Sequence, residues 1–412
     1  MKVSLSPYKS NGVLCAPPSK SFAHRYIIAA FLAGKKCVIE NVGFSDDVLA
    51  TVSAVKSLGG IIEKNGDTVI VHGRKTVVKA TVDCGESGST LRFLMPIAAA
   101  LGTQATFTGK GKLLSRPVED IAAAVEGHGA TITGHTVSGK LTCGKYYLNG
   151  NLSSQFASGL LFALSALNGV SEIVFTGDTV SKGYIDITVS ALKEFGVKIS
   201  ETENGFLVKG GFNPPEKVSV EGDWSGAAFM LCIGALCGKT TVKNLKYPSL
   251  QPDIAILDIL KKFGAKVSAE NGTITAEKCT LSGIEEIYCD NFPDIAQVIC
   301  SVAAFCKGIT RLTGINRLKI KESDRIAAII GTLKTCGIRA EYDGSALTVY
   351  GGTPKGGVFS GGKDHRTVMS AAVIACAANG ASTVEDAEYC AKSYPSFFED
   401  IKLSGGKVDV CL

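Results

Sequence analysis

Residues 262–278 read KFGAKVSAENGTITAEK, and this pattern decides the fold because it occurs six times along the 412-residue chain. In each copy an apolar, helix-like run ends at a glycine, and a β-patterned stretch follows. A glycine placed just after a helix can adopt the left-handed conformation that ends it. The six copies occupy residues 57–73, 127–144, 194–211, 262–278, 335–352 and 403–412.

The spacing of the copies is nearly constant. Their glycines are 67 to 73 residues apart, at Gly59, Gly129, Gly196, Gly264, Gly337 and Gly405. Four copies continue with Asn-Gly or Asp-Gly, the residues that a type I′ hairpin requires. These pairs are Asn65-Gly66, Asn204-Gly205, Asn271-Gly272 and Asp343-Gly344. Each repeat is therefore predicted to contain helices and short strands and to end in a helix, a glycine and a hairpin.

Six such repeats are too many for one hydrophobic core, so we expect two domains of three repeats each. The Pro-Pro segment GFNPPEK at 211–217 suits a crossing between them. The sixth copy stops at Leu412 before a hairpin could return, and we expect residues 3–5 to supply its missing strand. The predicted first domain is 16–217, and the second combines 1–15 with 218–412.

Composition limits the class of protein. With 45% hydrophobic and 20% charged residues, a buried core is expected and disorder is not. The apolar run at 227–237 is shorter than the roughly 20 residues that cross a bilayer. The 14 cysteines and five histidines show no C-x-x-C or H-x-x-x-H spacing, so reduced cysteines that fill apolar gaps are predicted and zinc is not. A net charge of +5, spread along the chain, gives no reason to expect nucleic acid.

Short polar openings with the same residue types precede several apolar helices. Unpaired N–H groups and the positive end of the dipole make a helix start a natural anion site, and arginine adds bidentate binding. Two carboxylates, Asp294 and Glu322, occur in the same setting. The pattern predicts an enzyme with small polyanionic substrates and acid/base chemistry. The cations at these openings are Lys20, Arg25, Arg92, Arg116, Lys321, Arg325, Arg366 and Lys392.

Each opening alone also fits a structural role, because Ser, Thr and Asp at helix starts usually act as caps. The functional interpretation therefore depends on the recurrence of the same residue types at several helix starts. The Gly/Ser loop at 85–90 lacks both the Walker Gly-Lys-Ser/Thr and a dinucleotide G-x-G-x-x-G, which argues against a kinase or a dehydrogenase. Five scattered histidines give no basis for a Ser-His-Asp triad.

Taken in order, the openings resemble the 5-enolpyruvylshikimate-3-phosphate (EPSP) synthase family, the 3-phosphoshikimate 1-carboxyvinyltransferases. PSKSFAHR at 18–25 is similar to that family's P-x-S-K-S-x-x-x-R opening, and GESGSTLR at 85–92 to its G-x-x-G-T-x-x-R loop. The likeness covers nearly the whole chain. Further matches are SRP (115–117), SSQF (153–156), SKGYIDIT (181–188), EGDWSGAAF (221–229), PDIA (293–296), KIKESDR (319–325), DHR (364–366) and AKSYPSFFEDI (391–401).

The resemblance implies a fold and a reaction. The fold is a two-domain inside-out α/β barrel, with three βαβαββ-like units per domain, the active site in the interdomain cleft, and the first domain mainly on the shikimate 3-phosphate side. The reaction transfers the enolpyruvyl group of phosphoenolpyruvate to the 5-hydroxyl of shikimate 3-phosphate, within the shikimate pathway to chorismate and the aromatic amino acids. No cofactor or metal, no nucleic acid and no membrane are expected. The implied enzyme is a cytoplasmic monomer.

The resemblance also implies site residues. Asp294 would be the base at the 5-hydroxyl, and Glu322 with Lys20 would handle the proton that enters and leaves the methylene group. Phosphoenolpyruvate would be bound by Lys20, Gly88, Arg116, Gln155, Arg325, Arg366 and Lys392. Shikimate 3-phosphate would be bound by Ser21, Arg25, Ser153, Ser154, Gln155, Ser181, Tyr184, Asp294 and Lys321. Glyphosate competes for the phosphoenolpyruvate site in this family, and Gly88 leaves room for it, so sensitivity is expected.

The chain departs from the family pattern at three positions. Pro18 stands where many relatives have glycine, and His24 where asparagine is common. Arg317 occupies a position at which some relatives place an asparagine that touches the shikimate substrate, and Asn316 is one residue away. That contact is therefore left unassigned.

Two alternatives stay open at this point. The sister enolpyruvyl transferases that act on UDP-N-acetylglucosamine share the fold and the donor. They carry a cysteine before the Arg-Pro and a Lys-Asn opening, whereas this chain has GKGKLLSRP at 109–117 and Lys20-Ser21. A non-catalytic repeat scaffold, such as a ring-forming clamp, would explain the repeats but not the charged residues at the helix starts.

Overall fold

The computed structural model describes residues 1–151, 153–177 and 180–411, so Leu412 of the sixth copy lies outside the described residues. Short 3₁₀ turns at Leu113–Ser115, Pro252–Ala255, Asn316–Ile320 and Ala387–Lys392 accompany the α-helices. The α-helices are α1 (Lys20–Ala33), α2 (Asp46–Ser57), α3 (Gly88–Leu101), α4 (Glu119–Val125), α5 (Ser154–Ser165), α6 (Lys182–Glu194), α7 (Trp224–Cys237), α8 (Ile256–Phe263), α9 (Ala296–Ala303), α10 (Arg325–Thr335), α11 (His365–Ala377) and α12 (Phe397–Leu403).

The strands are short. They are β1 (Lys2–Leu5), β2 (Asn11–Cys15), β3 (Cys37–Glu40), β4 (Gly60–Asn65), β5 (Thr68–Arg74), β6 (Lys79–Asp83), β7 (Gln104–Thr108), β8 (Ala130–Thr133), β9 (Thr136–Gly139), β10 (Lys145–Asn149), β11 (Val170–Thr176), β12 (Lys198–Thr202), β13 (Gly205–Lys209), β14 (Lys217–Ser219), β15 (Lys239–Lys243), β16 (Lys266–Glu270), β17 (Thr273–Glu277), β18 (Ile287–Tyr288), β19 (Ile309–Thr313), β20 (Ala340–Tyr342), β21 (Leu347–Tyr350), β22 (Val358–Phe359), β23 (Ser382–Val384) and β24 (Val408–Cys411).

In the described part of the chain these strands form six four-stranded sheets of one design. In the sheet β6-β7-β9-β8, β6 and β7 are parallel and the hairpin of β8 and β9 adds antiparallel strands. Helices α3 and α4 connect these strands, so the chain order is βαβαββ. The predicted α/β class and repeating unit are confirmed. The other sheets are β10-β11-β13-β12, β14-β3-β5-β4, β16-β17-β15-β2, β18-β19-β21-β20 and β22-β23-β1-β24.

The glycine pattern that predicted the repeats has the expected backbone conformation. All six glycines after the helices have positive φ, between 81° and 103°: Gly59, Gly129, Gly196, Gly264, Gly337 and Gly405. Positive φ allows the chain to leave a helix without the steric cost that a Cβ would impose. The helix-to-hairpin transition is therefore confirmed in five copies, and in the sixth β24 follows the glycine.

The turn type is correct at only one of the four predicted hairpins. Asn271 and Gly272 both have positive φ, at 46° and 73°, as a type I′ turn requires. Gly66 is followed by Asp67 in the loop between β4 and β5, whereas Asn65 still belongs to β4. Gly205 already belongs to β13, and Asp343-Gly344 opens a longer loop between β20 and β21. A dipeptide marks the hairpin but does not fix where strand pairing stops.

Two compact units account for the chain. One is Pro18–Val220, and the other combines Met1–Pro17 with Glu221–Leu412. Each unit contains three of the sheets and has its own hydrophobic core. In the second unit, β2 pairs in parallel with β15, and β1 pairs antiparallel with β24. The N-terminal segment thus supplies the strand beside β24 that the sixth copy lacks.

Each unit encloses some of its helices, such as α5 in one and α7 in the other. Every residue of α7 is buried, as expected for a helix that is apolar on all sides. Strands such as β2 instead alternate buried and exposed residues, with one face on the core. An enclosed helix has apolar sides, so its polar first turn is the part suited to binding an anion.

The cysteines behave as small apolar residues. None of those in the described residues forms a disulfide, and ten are buried. Burial raises the pKa of Cys232 and Cys300 above that of an ordinary thiol. Among the described residues, no helix combines the length and the apolar character needed to span a bilayer.

Candidate active site

Arg25 is the most deeply held cation of the Pro18–Val220 unit. It lies on α1, is 4% exposed, and donates from Nε to Thr188 Oγ1 at 2.7 Å. Its Nη1 and Nη2 donate to the carbonyls of Ser21 and Tyr184 at 2.8 and 2.9 Å. Burial lowers its pKa, because these acceptors are uncharged. The structure thus brings together three predicted shikimate 3-phosphate residues, Ser21, Arg25 and Tyr184.

Lys20 is the first residue of α1, and its ammonium is held by a carboxylate that the sequence did not single out. Its Nζ lies 2.9 Å from Asp47 Oδ2 on α2. The Lys20 side chain is 19% exposed, whereas that of Asp47 is 8% exposed. Asp47 lies in the first turn of α2, where its negative charge complements the helix dipole. Its contact with Lys20 gives it a second role, which is to orient the ammonium.

Gly88 begins α3 directly beside Arg116. A Cβ built on Gly88 would lie 2.5 Å from Arg116 Nη1, so a side chain there would displace the guanidinium. Ser87 caps the helix by accepting a hydrogen bond from the backbone N–H of Thr90. The structure therefore brings together two predicted phosphoenolpyruvate residues, Gly88 and Arg116, at one helix start.

Gln155 connects the starts of α3 and α5. Its Oε1 accepts from Arg92 Nη1 at 2.8 Å, and its Nε2 donates to Ser89 Oγ at 3.1 Å. Ser153 caps α5 through the backbone N–H of Gln155, and Ser154 is the first helical residue. Arg92 also donates to the carbonyl of Pro117 at 3.1 Å. Arg92 was counted among the cations at helix starts but not among the predicted site residues.

Ser181 precedes α6 in a strained conformation. Its φ is +51°, in the left-handed region that residues with a Cβ seldom adopt, and it is 2% exposed. The N–H of Tyr184 donates to the Ser181 carbonyl at 3.1 Å. Strain of this kind persists where the surroundings fix the backbone, and it concentrates at functional sites.

The second unit holds a cluster of three carboxylates and three cations, which we call the carboxylate–arginine cluster. Arg325, the first residue of α10, is 2% exposed. Its Nε lies 2.8 Å from Asp364 Oδ2 and its Nη2 lies 2.8 Å from Glu322 Oε2. Its Nη1 approaches Asp294 Oδ1 at 3.4 Å. The members of the cluster are Asp294, Lys321, Glu322, Arg325, Asp364 and Arg366.

Asp294 is the meeting point of the cations. Arg366 Nη2 lies 3.2 Å from Asp294 Oδ2, and Lys321 Nζ lies 3.8 Å from Asp294 Oδ1. The Asp294 side chain is 26% exposed, so a ligand can reach it, and that of Glu322 is 17% exposed. The structure brings together five predicted residues of this unit, namely Asp294, Lys321, Glu322, Arg325 and Arg366. Lys392, the sixth, ends the 3₁₀ turn at Ala387–Lys392 and is 4% exposed.

The carboxylates of the cluster keep its two arginines protonated. Burial alone would lower the pKa of Arg325, but the carboxylates of Asp364, Glu322 and Asp294 outweigh it and raise the pKa. The pKa of Arg366 is raised for the same reason, chiefly by Asp294. Both arginines are therefore charged throughout the physiological range.

Asp364 is the residue of this cluster that sequence reasoning missed. It caps α11 through the N–H of Arg366 at 2.9 Å, accepts from Ser323 Oγ at 2.9 Å, and is fully buried. The only signal was its place in the DHR motif, before a helix start. Of the two unassigned positions, Arg317 binds Asp290 Oδ1 at 2.7 Å, and Asn316 Oδ1 accepts from Tyr342 Oη at 2.9 Å.

Comparison with known proteins decides the family. A model of the EPSP synthase (3-phosphoshikimate 1-carboxyvinyltransferase) family matches residues 6–401. The 3-phosphoshikimate 1-carboxyvinyltransferase of Clostridium kluyveri is 40% identical over 418 residues, covering 99% of this chain and 98% of the relative. That of Clostridioides difficile is 37% identical, with 99% and 98% covered. The chain belongs to this family.

Solved structures agree with that assignment. An EPSP synthase from Acinetobacter baumannii superimposes with a TM-score of 0.83 at 25% identity, covering 99% of this chain and all of the other. The enolpyruvyl transferase NikO from Streptomyces tendae reaches a TM-score of 0.78 at 17% identity and shares the fold. The predicted resemblance and the two-domain inside-out α/β fold are confirmed. The match at the family level favours EPSP synthase over its UDP-N-acetylglucosamine sister and over a scaffold.

Proposed function

We propose that the chain transfers the enolpyruvyl group of phosphoenolpyruvate to the 5-hydroxyl of shikimate 3-phosphate and releases phosphate, a step of the shikimate pathway to chorismate and the aromatic amino acids. The observation that carries the proposal is the EPSP synthase match over residues 6–401, because those residues contain both groups of charged helix starts. It acts on small molecules, as a cytoplasmic monomer. The chemistry moves protons and a phosphate group, which side chains can do without a cofactor or metal.

The Pro18–Val220 unit supplies binding for shikimate 3-phosphate in this proposal. Arg25 keeps its charge beside acceptors that are neutral, so a phosphate dianion would add the counterion that these contacts lack. The starts of α1, α5 and α6 add backbone N–H groups and hydroxyls. The residues assigned to this substrate here are Ser21, Arg25, Ser153, Ser154, Gln155, Ser181 and Tyr184.

Phosphoenolpyruvate carries a carboxylate and a phosphate, and the proposal assigns cations to it. The assigned cations are Lys20, Arg116, Arg325, Arg366 and Lys392, and the two uncharged residues assigned with them are Gly88 and Gln155. Fixed cations stabilise the phosphate as it leaves, and loss of one such group typically costs about 10²–10³ in rate. Because Gly88 has no side chain, the Arg116 guanidinium can lie against the start of α3, and the proposal includes sensitivity to glyphosate at this site.

The carboxylates divide the proton chemistry. Asp294 accepts the proton of the 5-hydroxyl while the hydroxyl oxygen forms a bond to C2 of phosphoenolpyruvate. Glu322 or Lys20 adds a proton to the methylene carbon, which becomes a methyl group. The tetrahedral intermediate then loses a proton from this methyl carbon and phosphate from C2, which restores the double bond. The exposed parts of Asp294 and Glu322 support these roles, and Lys321 at 3.8 Å supports binding of the acceptor beside Asp294.

Phosphate release from phosphoenolpyruvate tests the proposal. Purified protein is given shikimate 3-phosphate in one reaction, UDP-N-acetylglucosamine in a second, and no acceptor in a third. Release with shikimate 3-phosphate alone is the expected result. Phosphate release with the nucleotide sugar alone would show that shikimate 3-phosphate is not the acceptor. No phosphate release in any of the three reactions would overturn the proposal that the chain is an enzyme.

A further inference from the structure

A line of buried hydrogen bonds joins three helices of the Pro18–Val220 unit at His24, one of the departures from the family pattern. His24 Nδ1 lies 2.6 Å from Thr51 Oγ1, which lies 2.6 Å from Thr90 Oγ1. Thr90 Oγ1 in turn donates to Ser87 Oγ at 2.7 Å. All four side chains are at most 1% exposed. The line therefore runs from α1 through α2 to the cap of α3, without contact with solvent.

The protons in this line have only one consistent arrangement, because each hydroxyl has a single proton to donate. Thr90 gives its proton to Ser87, so it must accept one from Thr51. Thr51 then has none for His24, and the 2.6 Å contact requires His24 Nδ1 to be the donor. The approach of Thr51 Oγ1 to the Asp47 carbonyl is longer, at 3.3 Å. His24 is therefore the Nδ1–H tautomer.

The other ring nitrogen explains why His24 stays neutral. Its Nε2 is buried and has no hydrogen-bond partner within the described ranges 1–151, 153–177 and 180–411. Burial, helped by the charges of Lys20 and Arg25 and opposed by that of Asp47, lowers the pKa of His24 to about 3. A proton on Nε2 would create a cation with nothing to accept its hydrogen bond.

We propose that His24, as the neutral Nδ1–H tautomer, is a positioning residue for the phosphoenolpyruvate side of the site. It acts through Thr51 and Thr90, which fix α2 and the start of α3 against α1. Those helices carry Asp47, which holds Lys20, and Gly88, which borders Arg116. The role in catalysis rests on the proposed function, whereas the tautomer does not.

Nitrogen NMR of protein labelled with ¹⁵N-histidine tests the tautomer, with the His24→Asn spectrum used to assign the signal. The expected result is a protonated Nδ1 and an unprotonated Nε2 that do not change between pH 5.5 and 8. A protonated Nε2, or a signal that titrates in this range, would overturn the proposal.

Steady-state kinetics test the positioning role. His24→Leu removes the donor and is expected to raise KM for phosphoenolpyruvate about three- to tenfold, the effect of one buried hydrogen bond. His24→Asn keeps an N–H at the same distance from the backbone and is expected to recover most of the loss. The matched control is Thr103→Val, which removes the 2.7 Å hydrogen bond to the Val77 carbonyl after the far end of α3. It is expected to lower Tm without changing KM.

The outcomes separate this role from the reaction itself. An active wild-type enzyme whose His24→Leu variant keeps its KM within twofold would overturn the positioning role alone. Equal KM values for His24→Leu and His24→Asn would do the same, because shape and not the donor would then matter. A wild-type protein with no turnover would overturn both the positioning role and the proposed function. The NMR spectrum would still test the tautomer of His24, because it does not depend on activity.

Discussion

Two arginines at helix starts, Arg25 and Arg325, are almost equally buried but are held in opposite ways. Arg25, in the Pro18–Val220 unit, donates to a hydroxyl and two carbonyls, and burial lowers its pKa. Arg325, in the other unit, is surrounded by the carboxylates of Asp364, Glu322 and Asp294, which raise its pKa. One buried cation lacks a charged partner in these contacts, and the other has three.

The difference separates binding from proton chemistry. A buried cation held by neutral acceptors keeps its attraction for a ligand's anion, which suits a phosphate. A cation among carboxylates has its charge offset, and instead it fixes the position of those carboxylates. In the proposed reaction, the Arg325 environment would therefore hold Asp294 and Glu322 in place as acid/base groups, and the Arg25 environment would bind the phosphate.

The largest expected effect is on the carboxylate side. Asp294→Asn should reduce kcat by about 10²–10⁴, because the base is lost while the amide oxygen can still accept from Arg366. Phosphate release under saturating substrates measures it. The control is Asp290→Asn, another carboxylate bound to an arginine, Arg317, at 2.7 Å, which should keep kcat within tenfold. An equal reduction of kcat in both variants would contradict the role of Asp294 as the base.

The second prediction compares the two arginines directly. Arg325→Met leaves three carboxylates without their shared cation and should lower the free energy of unfolding by about 3–5 kcal/mol. Arg25→Met removes a cation that no carboxylate compensates in the contacts above, so its loss should be smaller by about 2 kcal/mol or more. Urea unfolding without ligand measures both. A larger loss for Arg25→Met would contradict the contrast.

The Arg25 variant should also reveal the binding role. Its KM for shikimate 3-phosphate should rise about 100-fold, since charge-assisted hydrogen bonds to a phosphate are worth roughly 1.5–3 kcal/mol each. An unchanged KM would place the phosphate elsewhere.

A smaller effect is expected where α3 begins. Gly88→Ala places a methyl group 2.5 Å from Arg116 Nη1, so the guanidinium must move, and KM for phosphoenolpyruvate should rise about tenfold. Gly331→Ala is the matched control, because that glycine of α10 has nothing within 4 Å of the added carbon. If both variants bind phosphoenolpyruvate like the wild type, Arg116 does not depend on the space at Gly88.

The smallest expected effect is on stability in mild acid and comes from a third buried basic group, His24. Its pKa is about 3 when folded and near 6.5 when unfolded, so the unfolded chain binds the proton first. Its contribution to stability is fully present well above pH 6.5 and is lost as the pH falls. Between pH 6.5 and 5.5 the wild type should lose about 1 kcal/mol that His24→Asn does not lose. Parallel curves for the two proteins would show that His24 titrates normally.

The sequence predicts local features well, because neighbours along the chain determine them. Gly264 ends α8, and the cations Lys20 and Arg325 stand at the first residues of α1 and α10. The sequence does not predict which carboxylate pairs with each cation, because the two residues are far apart along the chain. Asp47 lies 27 residues from Lys20, and Asp364 lies 39 residues from Arg325, so each contact depends on which helix starts pack side by side.

The turn types failed for a related reason. The dipeptides Asn65-Gly66 and Asn271-Gly272 look alike, yet Asn65 stays in β4, which continues to pair with β5 up to that residue, while Asn271 leaves its strand. Strand register, set by core packing, decides which residues form the turn.

Phosphorus NMR of one reaction mixture tests the central claim most directly. Wild-type protein with equal amounts of phosphoenolpyruvate and shikimate 3-phosphate should convert the phosphoenolpyruvate signal into inorganic phosphate, and an equal amount of a new phosphate monoester should replace shikimate 3-phosphate. Asp294→Asn should leave both substrates nearly unchanged over the same time. Phosphate release without the new monoester, or no change with folded wild-type protein, would contradict enolpyruvyl transfer.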